Sequence, residues 1–85
     1  MIVQKYIMFK DNTFLMFPTY MVHKEVATKQ GKLENVVSAG LVCIAAKRGE
    51  LLGVNIECYD ESFTLNVKSR GKVDSDIMSA SILQN

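Results

Sequence analysis

The first stretch of the chain, Ile2 to Phe9, is rich in β-branched and aromatic residues and lacks helical spacing, which predicts a strand. Lys10-Asp11-Asn12 reads as a turn, because Asp and Asn bond their own backbone and tolerate the left-handed conformation. Thr13 to Phe17 reads as the return strand. A two-residue turn at Asp11-Asn12 pairs Phe9 with Phe14 and Ile7 with Met16 on one face, and leaves Tyr6, Met8, Leu15 and Phe17 on the other. Both faces of this hairpin are apolar, unlike a sheet that turns one side to water.

Pro18 ends the strand, since it has no ladder donor. Val22 to Gln30 predicts a short helix, with Val22 and Val26 at helical spacing and Gly31 where a left-handed C-terminal residue belongs. Asn35 to Ala46 predicts a long strand with a bulge at Ser38-Ala39-Gly40. Turns at Lys47-Arg48-Gly49-Glu50 and Asp60-Glu61 then separate two alternating strands, Leu51 to Tyr59 and Ser62 to Lys68. In this meander Leu41, Cys43 and Ala45 share a face with Leu52, Val54, Ile56 and Cys58, and also with Phe63, Leu65 and Val67. Val42, Ile44 and Ala46 are apolar on the reverse face. From Gly71 onward Val73, Ile77 and Met78 fall at helical spacing behind Asp74, Ser75 and Asp76, which suit a first turn. The expected fold is α+β: an antiparallel sheet in ββαβββα order, with two short helices covering its apolar face in two layers.

Composition narrows this picture little. The 85 residues suit one domain, and 48% hydrophobic residues with a net charge of +1 exclude a disordered chain and any bulk electrostatic claim on nucleic acid or membrane. Met1 to Lys10 lacks secretory-signal features, and the uncharged run Asn35 to Ala46 is too short to span a bilayer. The expectation is a cytoplasmic protein with no membrane association.

The chemistry is sparse. His23 is the single histidine and reads as a structural residue; an enzyme centred on it needs a concave site lined by Cys, Ser or carboxylates. Cys43 and Cys58 are expected as buried thiols on one face, offset too far for a disulfide and without metal-ligand spacing. The carboxylates Glu57, Asp60 and Glu61 read as solvated turn residues. No catalytic residue, cofactor or metal is expected. Two surfaces stand out. The meander register brings Lys68, Arg70 and Lys72 to the same sheet end as Lys47 and Arg48, a candidate phosphate or nucleic-acid contact, with Asp60-Glu61 at the opposite end. Tyr6, Met8, Leu15 and Phe17, together with Val42 and Ile44, form a candidate interface, because they exceed what one sheet face and two helices can cover.

Val37-Ser38-Ala39-Gly40-Leu41-Val42, the run Glu57 to Arg70, and the acidic helix start at Asp74 and Asp76 resemble a group of small bacterial proteins encoded largely in phages, prophages and other mobile elements. The resemblance covers about half the chain. It departs at Gly71-Lys72-Val73, where such proteins carry Pro and acidic residues, and at Tyr59-Asp60, where they carry Tyr-Gly. It implies an accessory protein and no catalytic residue. The functional expectation is a non-enzymatic interaction module that binds a protein partner as a homodimer. The alternative is a nucleic-acid-associated regulator.

Overall fold

The first hairpin closes on Asn12. In the computed structural model of the protein, which describes residues 1–47 and 53–83, strand β1 (Ile2–Phe9) returns as β2 (Phe14–Phe17). Asn12 takes a φ of 66°, and Phe9 N–H donates to Thr13 O at 2.9 Å. Asp11 Oδ1 accepts from Thr13 N–H at 3.1 Å and from Thr13 Oγ1 at 2.6 Å. This is a three-residue loop with its last residue left-handed, and not the expected two-residue turn. The register moves by one: Met8 faces Phe14, Ile7 faces Leu15 and Tyr6 faces Met16.

Strand β3 (Val36–Ala46) pairs antiparallel with β1, and β4 (Val54–Tyr59) pairs with β3, giving the order β2-β1-β3-β4. Met8 pairs with Ser38 and Phe9 with Val36, so Val37 is the extra residue of a bulge just ahead of the expected site. Val42 faces Cys58, Ile44 faces Ile56 and Ala46 faces Val54. The expected β3–β4 register was therefore off by one: Val42 and Ile44, not Leu41 and Cys43, share a face with Ile56 and Cys58. An odd number of residues separates Ala46 from Val54, which brings even-numbered positions together. Of the connection between them, Arg48, Gly49, Glu50, Leu51 and Leu52 lie outside the described residues.

The last expected strand does not follow β4. Asp60 takes a φ of 68°, and the chain leaves the sheet there. Strand β5 (Glu61–Ser62) pairs only with β6 (Val67–Lys68), through a turn in which Asn66 has a φ of 55°. Gly40 permits this exit, since a Cβ at that position would collide with the Tyr59 carbonyl oxygen. Cys58, Ile56 and Val54 thus face β3 partners on one side only, and the pairings with Phe63, Leu65 and Val67 do not form.

Helix α1 (His23–Lys29) covers one sheet face and α2 (Lys72–Leu83) the other. The α+β class and the antiparallel sheet are as expected, but the two helices lie on opposite faces. Ile7, Phe9, Phe17 and Ala39 pack with Val26 and Ala27 of α1, joined by Leu65 and Val67 from the β5–β6 hairpin. Tyr6, Met8, Val42 and Cys58 pack with Met78 of α2. Each fully buried side chain of this kind contributes about 1.5–3 kcal/mol relative to exposure. A helix as short as α1 is unstable alone, so its form depends on this packing. The hairpin's double apolar character is satisfied inside the chain. Tyr6, Met8, Phe17 and Val42 are buried, and Leu15 and Ile44 pack partly buried against the two cores. Four of the six residues expected at an interface are therefore interior, and the other two pack against the cores.

Gly40→Ala should lower stability by about 1–3 kcal/mol, as overpacking does, because the obstructing atom is backbone. Gly31→Ala meets open space at a φ of 66° and should cost only the left-handed penalty, about 1–2 kcal/mol. Urea unfolding of both variants checks the ranking, with Gly40→Ala expected to be the less stable and the m-value unchanged.

Candidate functional site

The exit of the chain at Asp60 creates a concavity. The β5–β6 hairpin folds toward the start of α1, where Thr64 Oγ1 accepts from Lys24 N–H at 3.2 Å. That bond satisfies one of the free donors of the helix's first turn, at an N-terminus where Val22 supplies no side-chain cap. Between hairpin, helix and sheet lies a cavity of about 300 Å³. Its apolar walls are Val22 and Leu41, and its polar lining is Lys5, His23, Asp60, Glu61 and Thr64. Phe63 stands at its edge and is 85% exposed. A second depression of about 450 Å³ runs on along α1 past Thr28 and Lys29, and shares Val22 and Thr64 with the first.

His23 is buried and stands edge-on to Phe17, with ring centroids 5.5 Å apart. Its Nε2 lies 3.0 Å from Gly40 O. A carbonyl only accepts, so Nε2 carries the proton and Nδ1 is left as an acceptor. Burial pulls the His23 pKa below its ordinary 6.5 against the opposing pull of the Gly40 carbonyl, and the Lys5 ammonium adds to the decrease. The ring is neutral at neutral pH. Lys5 Nζ donates to Met21 O at 2.7 Å, which ties its ammonium to the turn before α1. Sequence reasoning marked His23 as structural and Asp60-Glu61 as solvated, and did not bring them together. The missing signal was the left-handed Asp60.

The expected basic cluster does not form. Glu61 faces Lys68 across the hairpin, beyond the Tyr59 end of β4, whereas Lys47 follows Ala46 at the other end. The strand rise puts those ends about 17 Å apart. The cluster assumed that Val67 lies beside Val54; Val67 faces Ser62 instead. The same pairing sets Lys68, one of the expected basic residues, opposite Glu61 of the expected acidic end. Lys72 Nζ pairs with Asp76 at 2.9 Å on the exposed side of α2. Arg48 lies outside the described residues.

Arg70 serves the interior. Its Nε donates to Asp74 Oδ1 at 2.9 Å and lies 3.2 Å from Ser38 Oγ, and its N–H donates to Asp74 Oδ2 at 3.0 Å. The Tyr6 hydroxyl donates to the same Oδ2 at 2.5 Å, with Ser69 Oγ 2.7 Å away. Asp74 is fully buried. Burial pushes its carboxyl up, but hydrogen bonds from Tyr6, Ser38 and Arg70 outweigh this and leave it below the ordinary carboxylate value. Burial and the Asp74 contact push the Tyr6 phenol far above its ordinary value. The motif that read as a phosphate contact is thus the anchor of α2 onto β1 and β3.

Cys43 and Cys58 lie on opposite faces, since Cys43 faces Glu57 and Cys58 faces Val42. Burial pushes the Cys58 thiol up to about 11, and its Sγ rests 3.6 Å from Met78 Sδ. Among the described residues no three His, Cys, Asp or Glu are grouped to hold a metal ion, and no helix is long and apolar enough to cross a membrane. Comparison with protein-family models, curated proteins and solved structures gives no match.

The depressed Asp74 value should contribute to the acid limb of stability. Its contribution is complete above about pH 4 and is lost as pH falls through the folded-state value. Asp74→Ala should cost about 3 kcal/mol at pH 7 and flatten the pH dependence below about pH 4 in chemical denaturation. An unchanged acid limb contradicts the anchor. An NMR titration of the His23 ring should give a midpoint below 6.5.

Proposed function

We propose that the protein is a small binding module that acts through a contact surface and not by covalent chemistry. Its surface is the concavity between α1 and the β5–β6 hairpin, and its ligand is a segment of a protein partner. The observation that carries this reading is Phe63, 85% exposed at the edge of the cavity. A lone exposed apolar residue means little. Phe63 differs because it adjoins apolar walls and side-chain acceptors in a concave site, the arrangement from which recognition sites are built. Hydrophobic contact gives affinity there, and the polar lining orients the ligand.

The binding reading is favoured over an enzymatic one because, among the described residues, no Cys or Ser joins His23, Asp60 and Glu61 in the cavity lining, and three of the lining's polar atoms are engaged. His23 Nε2 is held by Gly40 O, and Lys5 is held by Met21 O. The hydroxyl in the lining, Thr64, caps α1. The resemblance of the C-terminal half to small proteins of mobile elements suits an accessory module. A second copy of the chain is the first partner to test, now through this surface and not through the buried hairpin.

A photo-crosslinking residue at position 63 should give a discrete adduct, in native-host extract or with a second copy, and the same residue at exposed position 55 on β4 should not. Mass spectrometry of the adduct distinguishes the two partners. Equal labelling from both positions, or none from 63, contradicts the proposed surface.

A further inference from the structure

Three groups in the cavity lining are hydrogen-bond acceptors without a side-chain donor among the described residues. Asp60 and Glu61 make no ion pair among the described residues, where the pairs present are Arg70–Asp74 and Lys72–Asp76. His23 Nδ1 is the third. His23 is only 5% exposed, its one hydrogen bond is through Nε2, and no buried side-chain nitrogen or oxygen among the described residues lacks a partner. Nδ1 is thus the ring nitrogen left to accept, and His23 lines this cavity. The formal charge of the lining is two carboxylates against the Lys5 ammonium, a net single negative charge with His23 neutral.

We propose that this cavity receives an arginine side chain from a protein partner, with its guanidinium on the Asp60 and Glu61 carboxylates and on His23 Nδ1. The proposal rests on the binding-module reading and names the partner's chemistry. A guanidinium is a planar fork of five N–H donors and has no acceptor, the complement of a lining whose free groups all accept. Its single positive charge cancels the net charge of the lining. Its face stacks on an aromatic ring, and Phe63 stands exposed at the edge. A lysine ammonium is a compact point charge that spans several spaced acceptors less well. The cavity's volume of about 300 Å³ is at the small end for ligand sites and suits one side chain. The adjoining depression along α1 gives the residues flanking that arginine somewhere to lie.

The test is an NMR titration of the full chain with the capped tripeptide acetyl-Ala-Arg-Ala-amide, with its lysine counterpart, and with its citrulline counterpart, which keeps the shape and loses the charge. Saturable shifts are expected at the His23 ring and at the Asp60, Glu61 and Thr64 amides, with the citrulline peptide at least tenfold weaker and the lysine peptide in between. Asp60→Asn with Glu61→Gln should weaken the arginine peptide at least tenfold. Asn tolerates the φ of 68° at position 60, and the amide spectrum checks the fold; Glu61→Gln alone serves if the double variant fails to fold. No saturable shift, equal affinity for the citrulline peptide, or undiminished binding by the variants overturns the proposal. A position-63 crosslink with a failed titration removes the arginine and leaves the module standing.

Discussion

The structure depends on one constraint: β1 is apolar on both of its faces. Tyr6 and Met8 point one way, Ile7 and Phe9 the other, and all are buried. A strand of this kind must lie inside a sheet that is covered twice. Flanked by β2 and β3, it leaves the chain two faces to close, with α1 and the residues that follow β4. The chain divides them. Residues 61–68 turn toward the α1 face, where Leu65 and Val67 complete one core, and α2 crosses to the other face, where Met78 completes the second. The division point is Asp60, and the space for it is the missing Cβ of Gly40.

The polar groups follow from the same division. Anchoring α2 places Asp74 in the interior, where a carboxylate is costly unless every lone pair is answered. Tyr6 and both the backbone and the side chain of Arg70 answer it, with Ser38 and Ser69 closing the network. On the other face the hairpin does not close down fully on the sheet. The gap beside α1 is the cavity, and the groups left there without side-chain donors are the ones proposed to bind. The site is thus a consequence of covering the second face with a short hairpin in place of a full strand.

Much of this was legible in the residues. The first four strands and both helices were placed close to where they occur, because alternation and helical spacing are local properties. The doubly apolar hairpin was also visible, and its reading as an interface failed for want of one fact, the face to which each helix goes. Registers were the weak point. A loop one residue longer at Asn12, and an odd-length connection between Ala46 and Val54, reverse which side chains share a face. The run Ser62 to Lys68 alternates like a strand, yet the left-handed Asp60 and Asn66 break it into a hairpin. That break scattered the basic residues expected together and joined His23 to Asp60 and Glu61. Arg70 and Asp74 could have been suspected as an i,i+4 pair; that Tyr6 completes it is a long-range contact which no local pattern encodes.

Methyl NOEs test the double covering most directly. In a sample with labelled Met, Val, Ile and Ala methyls, Met78 should show contacts to Tyr6, Met8 and Val42. Val26 and Ala27 should show contacts to Ile7, Phe17 and Ala39, with no residue of β1 common to the two sets. Met78 and Val26 both contacting the same β1 side chain would place the two helices on one face, and the division of the chain at Asp60 would then be wrong.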